Sequence, residues 1–359
     1  MIQERKKVET LVTYLERQLE ETLKRRLQDL PPYVDDFVYS LKNSKKIRTR
    51  LEYTKDISLF FDFLFQTNRI SETNYRLVST ETINQLSTRD VQEFLDFLSY
   101  YEKSFQTASG HTLTQTYQNS LSGKGRKLAS IRAWFNYLEK QKLITQNVVR
   151  DIEFEGQKHH LMKDILPQDE LQRLLALFQQ DSLEGRRNYT PELRKRDLMI
   201  ILLLSYTGIR VGELVQLNRS DVQLQNQSMV IYRKGGKPQR LPLSSKLIHA
   251  FESYFEYRNR ITPSNALDKD AVFLTRNGAR MTDQSVRKLL QKYGELINCS
   301  IRLTPHVFRR MFGTEHYNRY GDMDLTATVL GHSSTETTRK HYARVNEDRI
   351  RQSLEDFDY

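Results

Sequence analysis

The sequence has little of what marks a secreted or membrane-embedded protein. Among its 359 residues there is a single cysteine, Cys299. One cysteine excludes an internal disulfide framework and a cysteine-rich zinc site, which fits a reducing cytoplasm, and we expect it to be a small buried apolar residue. No run approaches the roughly 18 apolar residues needed to span a bilayer, and residues 1–20 are charged throughout. Neither export nor membrane insertion is therefore expected.

Positive charge is in excess. The chain has 56 Lys and Arg residues against 45 Asp and Glu residues, a formal net charge of +11. The basic residues are spread along the chain, which fits a polyanionic partner such as DNA, although a merely basic protein is the alternative that charge alone leaves open. The length exceeds the usual single-domain size, so two domains are expected.

The first half of the chain has the periodicity of packed helices. Apolar residues recur at helical spacing up to Leu23 before Pro31-Pro32 interrupts them, which predicts an added amphipathic helix in residues 1–32. Aromatic-rich segments such as SLFFDFLF and IRAWFNYLEK then predict an all-helical domain of four or five helices over residues 33–152. Residues 153–168 lack a sustained period and are expected to form a linker, in which His159-His160 reads as linker polarity because no companion metal ligands accompany it.

Basic residues cluster near the end of this helical half. Between Lys124 and Arg150 there are seven Lys or Arg residues and one acidic residue, Glu139. One face of this segment is apolar, so the other could meet phosphates, with a solvated helix face as the alternative. The predicted DNA contacts are Lys124, Arg126, Lys127 and Arg132 here, and Arg233, Lys237 and Arg240 further along the chain.

The second half changes character. Its longest apolar run, residues 198–206, predicts a buried core helix. Alternating residues in SMVIYRKGGKPQRLPL then predict a β-hairpin with strands Met229–Arg233 and Arg240–Leu243 and a glycine-containing turn between them. Because helical segments return afterwards, residues 169–345 are expected to form a second domain with a small antiparallel sheet.

Five polar motifs follow one another in this second half. TGIRVGEL carries Arg210 and Glu213, RKGGKPQR carries Lys234, PHVFRR carries His306 and Arg309, LGHSS carries His332, and RKHYARV carries Tyr342. Singly, each has an ordinary explanation: His306 could cap its own helix, and Glu213 could merely pair with Arg210. The ordered series resembles the tyrosine recombinase family, whose catalytic set runs Arg, Lys, His-x-x-Arg, His or Trp, Tyr. The resemblance covers residues 35–345 and is most specific over 205–345.

The resemblance implies the DNA breaking-rejoining enzyme fold, with an all-helical core-binding domain followed by an α+β catalytic domain, mainly α overall. Within the family the chain looks most like Xer recombinases, and its long leading helix resembles the single-recombinase XerS type. The implied reaction needs no metal and no cofactor. The implied partners are double-stranded DNA with paired half-sites, further copies of the chain in a tetramer on two sites, and an FtsK-type DNA translocase.

The chemistry explains why these residue types are needed. Attack on a phosphodiester builds negative charge on two nonbridging oxygens, which Arg210 and Arg309 could bind through paired, fixed donors. The resemblance assigns Tyr342 as nucleophile, with His306 sharing its proton; a tyrosine hydroxyl has a pKa near 10 and needs such help. Lys234 would protonate the departing 5′ oxygen, with Lys237 as the local rival. His332 would complete the oxyanion site, and Glu213 would support the cations.

Two positions depart from the family's common pattern. Arg310 follows Arg309 where many Xer-like members have a histidine, which puts a packing role in doubt. His332 and Tyr342 are ten residues apart, one more than expected, which weakens the register but leaves Tyr342 as the only tyrosine between His332 and Tyr359.

Other readings account for less of the series. A type IB topoisomerase would share the tyrosine chemistry but would not bring two duplexes together. A non-enzymatic DNA-binding protein would explain the charge but not the six catalytic candidates. A replication-initiator nuclease would need a paired-histidine metal site near the nucleophile, and the sequence has none there. If the resemblance extends to biology, the role is chromosome dimer resolution at a dif-like site, with a mobile-element integrase as the alternative.

The end of the chain predicts one more helix. Its apolar residues recur roughly on one helical face: Val345, Ile350, Leu354 and Phe357. The resemblance implies that residues 346–359 are buried in a neighbouring protomer, and docking on the same chain is the alternative.

Overall fold

The computed structural model describes residues 11–72, 74–107, 110–154, 165–179, 190–233 and 236–331. The chain divides into two compact units, Met1–Leu161 and Met162–Tyr359. In the described residues no helix combines the length and apolarity that crossing a membrane requires.

The first unit contains helices α1 to α6 and strands β1 and β2. Their bounds are α1 Leu11–Gln28, α2 Pro32–Ser40, α3 Ile47–Gln66, α4 Thr80–Asn84, α5 Thr88–Phe97, β1 Tyr101–Gln106, β2 Thr112–Tyr117 and α6 Leu121–Lys140. Local sequence sets several starts: Pro32 opens α2, where a missing N–H costs nothing, and the Ser87 and Asp90 side chains form a capping box at α5. Helix α3 packs against α1, α2, α5 and α6.

Aromatic rings form the core of this unit. Trp134 on α6 is fully buried, with ring centroids of four aromatic side chains between 5.2 and 6.3 Å away: Tyr33, Phe60, Phe61 and Phe135. Such rings bury large apolar areas in specific geometries, so the aromatic-rich segments seen in the sequence do pack as a helical core. Helix α1 joins it through buried Leu23 and through Glu20, which accepts a 2.6 Å hydrogen bond from Arg50.

The expectation that this domain is all-helical is wrong for one segment. Strands β1 and β2 form an antiparallel hairpin, with Tyr101 opposite Tyr117 and Gln106 opposite Thr112. At its base the Tyr101 ring stacks on Phe97 and on Tyr117, with centroids 5.1 and 5.2 Å apart. Most residues of the hairpin are exposed. The segment TLTQTY alternates threonine with other residues and does not alternate apolar with polar residues. β-Branched threonine favours a strand, but a search for a buried face does not find it.

The second unit surrounds one buried helix. Its elements are α7 Gln168–Ala176, α8 Pro191–Thr207, α9 Val211–Gln216, β3 Val222–Gln223, β4 Ser228–Tyr232, β5 Pro238–Pro242, α10 Ser245–Arg258, α11 Asp283–Leu296, α12 Pro305–Tyr320 and α13 Met323–Leu330. Helix α8 contains the predicted core run and packs against α10 and α12. Its residues 199–204 are all buried, so the prediction of a core helix is confirmed.

The predicted hairpin is also confirmed, with its strands displaced by one or two residues. β4 pairs antiparallel with β5, Met229 opposite Leu241, and the short β3 pairs with the other edge of β4. Beyond the strands, the Arg233 amide donates to the Lys237 carbonyl at 2.8 Å, and Gly236 has a φ of +76°. The sequence did not predict β3 because two residues are too few to show a period.

Cys299 is not the buried apolar residue that was expected. It is partly exposed, and its thiol donates a 2.8 Å hydrogen bond to Oε2 of Glu170, a carboxylate that also accepts from the Ser300 amide. Burial and the adjacent Glu170 carboxylate raise the pKa of the Cys299 thiol to about 11. The group is therefore a protonated hydrogen-bond donor at neutral pH.

Candidate active site

Four of the residues carried by the five motifs line one cavity in the second unit. The cavity has a volume of about 440 Å³. Arg210 is the residue before α9 and Glu213 lies in its first turn, while His306 and Arg309 lie one turn apart near the start of α12. The remaining residues that line the cavity are Val211, Gly212, Gln216, Tyr232, Arg233, Asp283, Arg287 and Pro305.

Glu213 fixes the position of Arg210. One carboxylate oxygen accepts from the Arg210 amide and the other from Arg210 Nη1, both at 2.9 Å. The first contact caps α9, since the amides at a helix start lack partners within the helix. The second orients the guanidinium, whose Nη2 donates to the Gly331 carbonyl at 3.1 Å.

Arg309 is held by backbone carbonyls. Its guanidinium is buried, with Nη1 donating to the carbonyl of Gly208 and Nη2 to that of Leu330, both at 2.7 Å. These acceptors lie at the carboxyl ends of α8 and α13, where carbonyls lack partners within the helix and a positive charge is favourable. Two backbone carbonyls thus set the plane of the guanidinium.

Arg233 has a different setting from a surface contact with DNA. It is 9% exposed, and Nη1 donates to Oε2 of Glu213 at 2.7 Å. Its other donors reach the Val329 carbonyl at 2.6 Å and Oε1 of Gln239 at 2.7 Å. Burial and the neighbouring Arg210 charge lower the pKa of Arg233 and the Glu213 charge opposes them, but an arginine stays charged at neutral pH.

His306 is surrounded by positive charge. Partial loss of water around the imidazole lowers its pKa, and four guanidinium groups act in the same direction: Arg287, Arg309, Arg310 and Arg210. The neutral imidazole is therefore favoured at neutral pH. A neutral histidine can accept a proton, which is what deprotonation of a nearby hydroxyl requires.

Three predicted catalytic residues, Lys234, His332 and Tyr342, lie outside the described residues. So does the segment 346–359. Lys237, the rival of Lys234, is described and exposed, as is Arg240 on β5.

The predicted DNA contacts of the first unit have partners within that unit. Arg126 donates through both Nη atoms to the buried carboxylate of Asp56, at 2.6 and 2.8 Å. Arg132 donates to the carbonyls of Val149 and Ile152. The two lysines reach neutral oxygens at 2.6 Å, Lys124 on Ser99 and Lys127 on Asn119. The two lysines therefore contact uncharged oxygens, whereas Arg126 already pairs with an anion.

Two charged cavity residues were not identified from the sequence. Asp283 and Arg287 lie in the first turns of α11, in the segment DQSVRKLL. The segment reads as an ordinary amphipathic helix start, and only the packing of α11 beside α9 and α12 brings it to the cavity.

Comparisons with known proteins identify the family to which the chain belongs. Residues 164–349, more than half of the chain, match the Phage integrase family. The chain is 28% identical to a tyrosine recombinase of Agathobacter rectalis over 79% of this chain and 90% of that protein. It is 26% identical to the tyrosine recombinase XerS of Lactococcus lactis subsp. cremoris, over 92% and 97% of the two chains.

Solved structures show the same fold. A XerH site-specific recombinase bound to its difH substrate has a TM-score of 0.59 and 19% identity, covering 93% of this chain and 83% of that one. A lambda integrase tetramer bound to a Holliday junction has a TM-score of 0.58 and 13% identity, covering 87% and 76%. The chain therefore belongs to the phage integrase family, the tyrosine recombinases, whose members cut and rejoin DNA strands.

Proposed function

We propose that this tyrosine recombinase acts at a specific DNA site through a 3′-phosphotyrosine formed by Tyr342. The observation that carries the proposal is the meeting of Arg210, Arg309 and His306 on one cavity in the matched part of the chain. Two guanidinium groups and an imidazole held neutral are what attack on a phosphodiester by a hydroxyl needs.

The proposed reaction conserves the ester bond. The Tyr342 oxygen attacks the scissile phosphorus and its proton passes to His306, while Arg210, Arg309 and His332 bind the nonbridging oxygens. The bond to the 5′ oxygen breaks, and Lys234 gives that oxygen a proton. The 5′ hydroxyl of a partner duplex then attacks the phosphotyrosine and releases Tyr342. Because one phosphate ester replaces another at each step, the chemistry needs no nucleotide hydrolysis.

The proposed assembly is four protomers on two duplexes, each with paired half-sites. The lambda integrase neighbour is a tetramer on a Holliday junction and the XerH neighbour is bound to difH, which supports this assembly for a chain of the same fold. We further propose that residues 33–152 form a DNA-binding domain and that residues 169–345 form the catalytic domain. Chromosome dimer resolution in the cytoplasm, at a dif-like site and under an FtsK-type translocase, is the proposed role.

The Tyr342→Phe protein tests the nucleophile. It should bind the site but form no covalent adduct, because the ring is kept and the attacking oxygen is lost. The measurement is a denaturing gel of a nicked suicide substrate incubated with the protein. Tyr359→Phe is the matched control and should form the adduct at the yield of the unaltered protein. An adduct from Tyr342→Phe at that same yield would place the nucleophile elsewhere.

Sequencing the DNA recovered covalently on the protein tests the biological role. A single chromosomal site with two inverted half-sites is expected for dimer resolution. Recovery of the ends of a mobile element would instead assign an integrase. Relaxation of supercoils without joining of two duplexes would indicate a topoisomerase.

A further inference from the structure

Four consecutive backbone carbonyls at the end of α13 accept hydrogen bonds from side chains. The pairs are Thr328 with Gln239 Nε2 at 3.0 Å, Val329 with Arg233 Nη2 at 2.6 Å, Leu330 with Arg309 Nη2 at 2.7 Å and Gly331 with Arg210 Nη2 at 3.1 Å. The last carbonyls of a helix lack partners within the helix, and cations near them are favourable. Two of the four donors, Arg210 and Arg309, already have proposed roles on the phosphate, whereas Arg233 and Gln239 have none.

Arg233 joins three elements at once. Its guanidinium donates to Glu213 on α9, to the Val329 carbonyl on α13 and to Gln239 on β5, all within 2.7 Å. The side chain is almost fully buried, where directional hydrogen bonds are stronger than in water. A planar guanidinium with three fixed acceptors cannot move without breaking at least one contact.

The backbone of Gly331 lies close to the Arg233 side chain. Its φ is +64°, and a Cβ built there would lie 2.4 Å from Arg233 Nε. Any other residue would therefore be strained by its backbone and would also push the guanidinium away. This close approach of Gly331 to Arg233 is an observation separate from the hydrogen bonds. It also indicates that the position of the Arg233 side chain is constrained.

The network ends one residue short of two proposed catalytic groups. Arg233 directly precedes Lys234 in the chain, and Gly331 directly precedes His332. We propose that Arg233 is a positioning residue for Lys234, supported by Gln239, because it ties the residue directly before Lys234 to the end of α13 and to the Glu213 carboxylate. The proposal rests on the proposed function, in which Lys234 protonates the leaving oxygen. A misplacement of about 1 Å can cost roughly 10²-fold in rate, so such a tie has a measurable consequence.

Changing the leaving atom separates this role from a structural one. A DNA substrate whose 5′ bridging oxygen is replaced by sulfur releases a thiolate, which needs no proton. Arg233→Ala should slow single-turnover cleavage of ordinary DNA by about 10²-fold. On the sulfur substrate it should come within about tenfold of the unaltered protein, the pattern also expected of Lys234→Ala. DNA affinity, measured by gel shift, should change little.

Two further variants keep the test decisive if Arg233→Ala does not fold. Gln239→Ala removes the donor to Thr328 and an acceptor of Arg233 from a partly exposed position, and should give the same selectivity with a smaller loss. Arg233→Lys keeps the charge and one donor, and should recover part of the rate on ordinary DNA.

Arg258 provides the matched control. It is also a buried arginine of the second unit, donating to the carbonyls of Ala271, Asp268 and Lys269, and it does not line the cavity. Arg258→Ala should lower thermal stability and reduce cleavage of both substrates by the same factor.

The outcomes distinguish this proposal from the proposed function. An equal loss on both substrates for the folded Arg233 and Gln239 variants would overturn the positioning role. If sulfur rescues these variants and Lys237→Ala but not Lys234→Ala, the positioning role stands and the general acid moves to Lys237. If sulfur rescues none of these proteins, both assignments fail.

Discussion

The guanidinium groups of Arg309 and Arg210, which are proposed to bind the phosphate, are held in two different ways. Arg309 donates to two backbone carbonyls, whereas Arg210 shares the Glu213 carboxylate with Arg233. Two guanidinium groups thus share one carboxylate, so this group of three side chains carries a net positive charge. Donors fixed before the reaction need no reorganisation when charge develops, which is where such sites gain most of their effect.

Removing one positive charge near His306 should raise its pKa. Among the cations that hold this pKa below its ordinary value of 6.5, Arg287 has the largest effect. In Arg287→Ala the protonated imidazole is less disfavoured, so the group gains its proton at a higher pH than in the unaltered protein. Since only the neutral form can accept the tyrosine proton, the acidic limb of cleavage should move to higher pH. The measurement is single-turnover cleavage against pH at low salt, where screening is weak.

The control for this prediction is the neighbouring lysine. Lys288→Ala removes the same charge from the same helix, but Lys288 is not among the charges acting on His306. Titration of the His306 ring followed by NMR in both variants would separate them. Equal shifts in the two proteins, or none in Arg287→Ala, would contradict the assignment.

The types and order of the motif residues predicted Arg210, His306 and Arg309, but they did not predict the residues that surround these three. PHVFRR places His306 and Arg309 one helical turn apart, so their meeting on one face follows from the sequence. Arg287 and Gln239 reach the site through the packing of α11 and the pairing of β5, which no local pattern contains. Arg233 was expected to contact DNA, but it is buried and donates to Glu213 and to the Val329 carbonyl, which are distant in the chain.

At the scale of elements, helix ends create the site. Helices α8 and α13 both end at a glycine of positive φ, Gly208 at +58° and Gly331 at +64°, and Arg309 donates to the carbonyl of Gly208 and to that of Leu330, next to Gly331. The TG and LG pairs in the sequence are recognisable stop signals. The sequence could not show that the two ends lie on either side of one guanidinium.

Gly208→Ala should destabilise the protein markedly. A Cβ there would lie 2.6 Å from Cδ1 of Phe312, and an L-residue is strained at this φ, so we expect a loss of about 1–3 kcal/mol in the free energy of unfolding. Gly236→Ala is the matched control, because its φ is +76° but nothing lies within 4 Å of the added atom. Denaturant unfolding of both proteins measures the difference. A loss no larger than that of Gly236→Ala would show that Phe312 moves aside without cost.

At the scale of the whole chain, each unit has its own hydrophobic core. One buried cluster contains only residues between Leu23 and Ile152, the other only residues between Leu166 and Met311. The change from aromatic-rich helical segments to a mixed pattern in the sequence anticipates this division. The β1–β2 hairpin was missed because neither of its faces is buried, so hydrophobic periodicity gave no signal.

The last prediction concerns the end of the chain, which lies outside the described residues. Val345, Ile350, Leu354 and Phe357 recur roughly on one helical face, and such a stripe needs a surface to cover it. If residues 346–359 dock in a neighbouring protomer, deleting 347–359 should leave one protomer binding a half-site as before. Cooperative filling of the second half-site should fall, and Tyr342 cleavage should become independent of assembly.

Docking of the same segment on its own chain predicts the opposite result. The truncated monomer would then lose buried apolar area and melt at a lower temperature, while cooperativity on the full site would be unchanged. A gel-shift titration on half and full sites, run beside thermal unfolding of the free protein, distinguishes the two. Changing Leu354 and Phe357 to Ala in the full-length chain provides a control, because it removes the apolar contacts and keeps the charges. Reduced monomer stability with intact cooperativity would exclude exchange between protomers, because a segment held by a neighbour contributes nothing to the stability of an isolated chain.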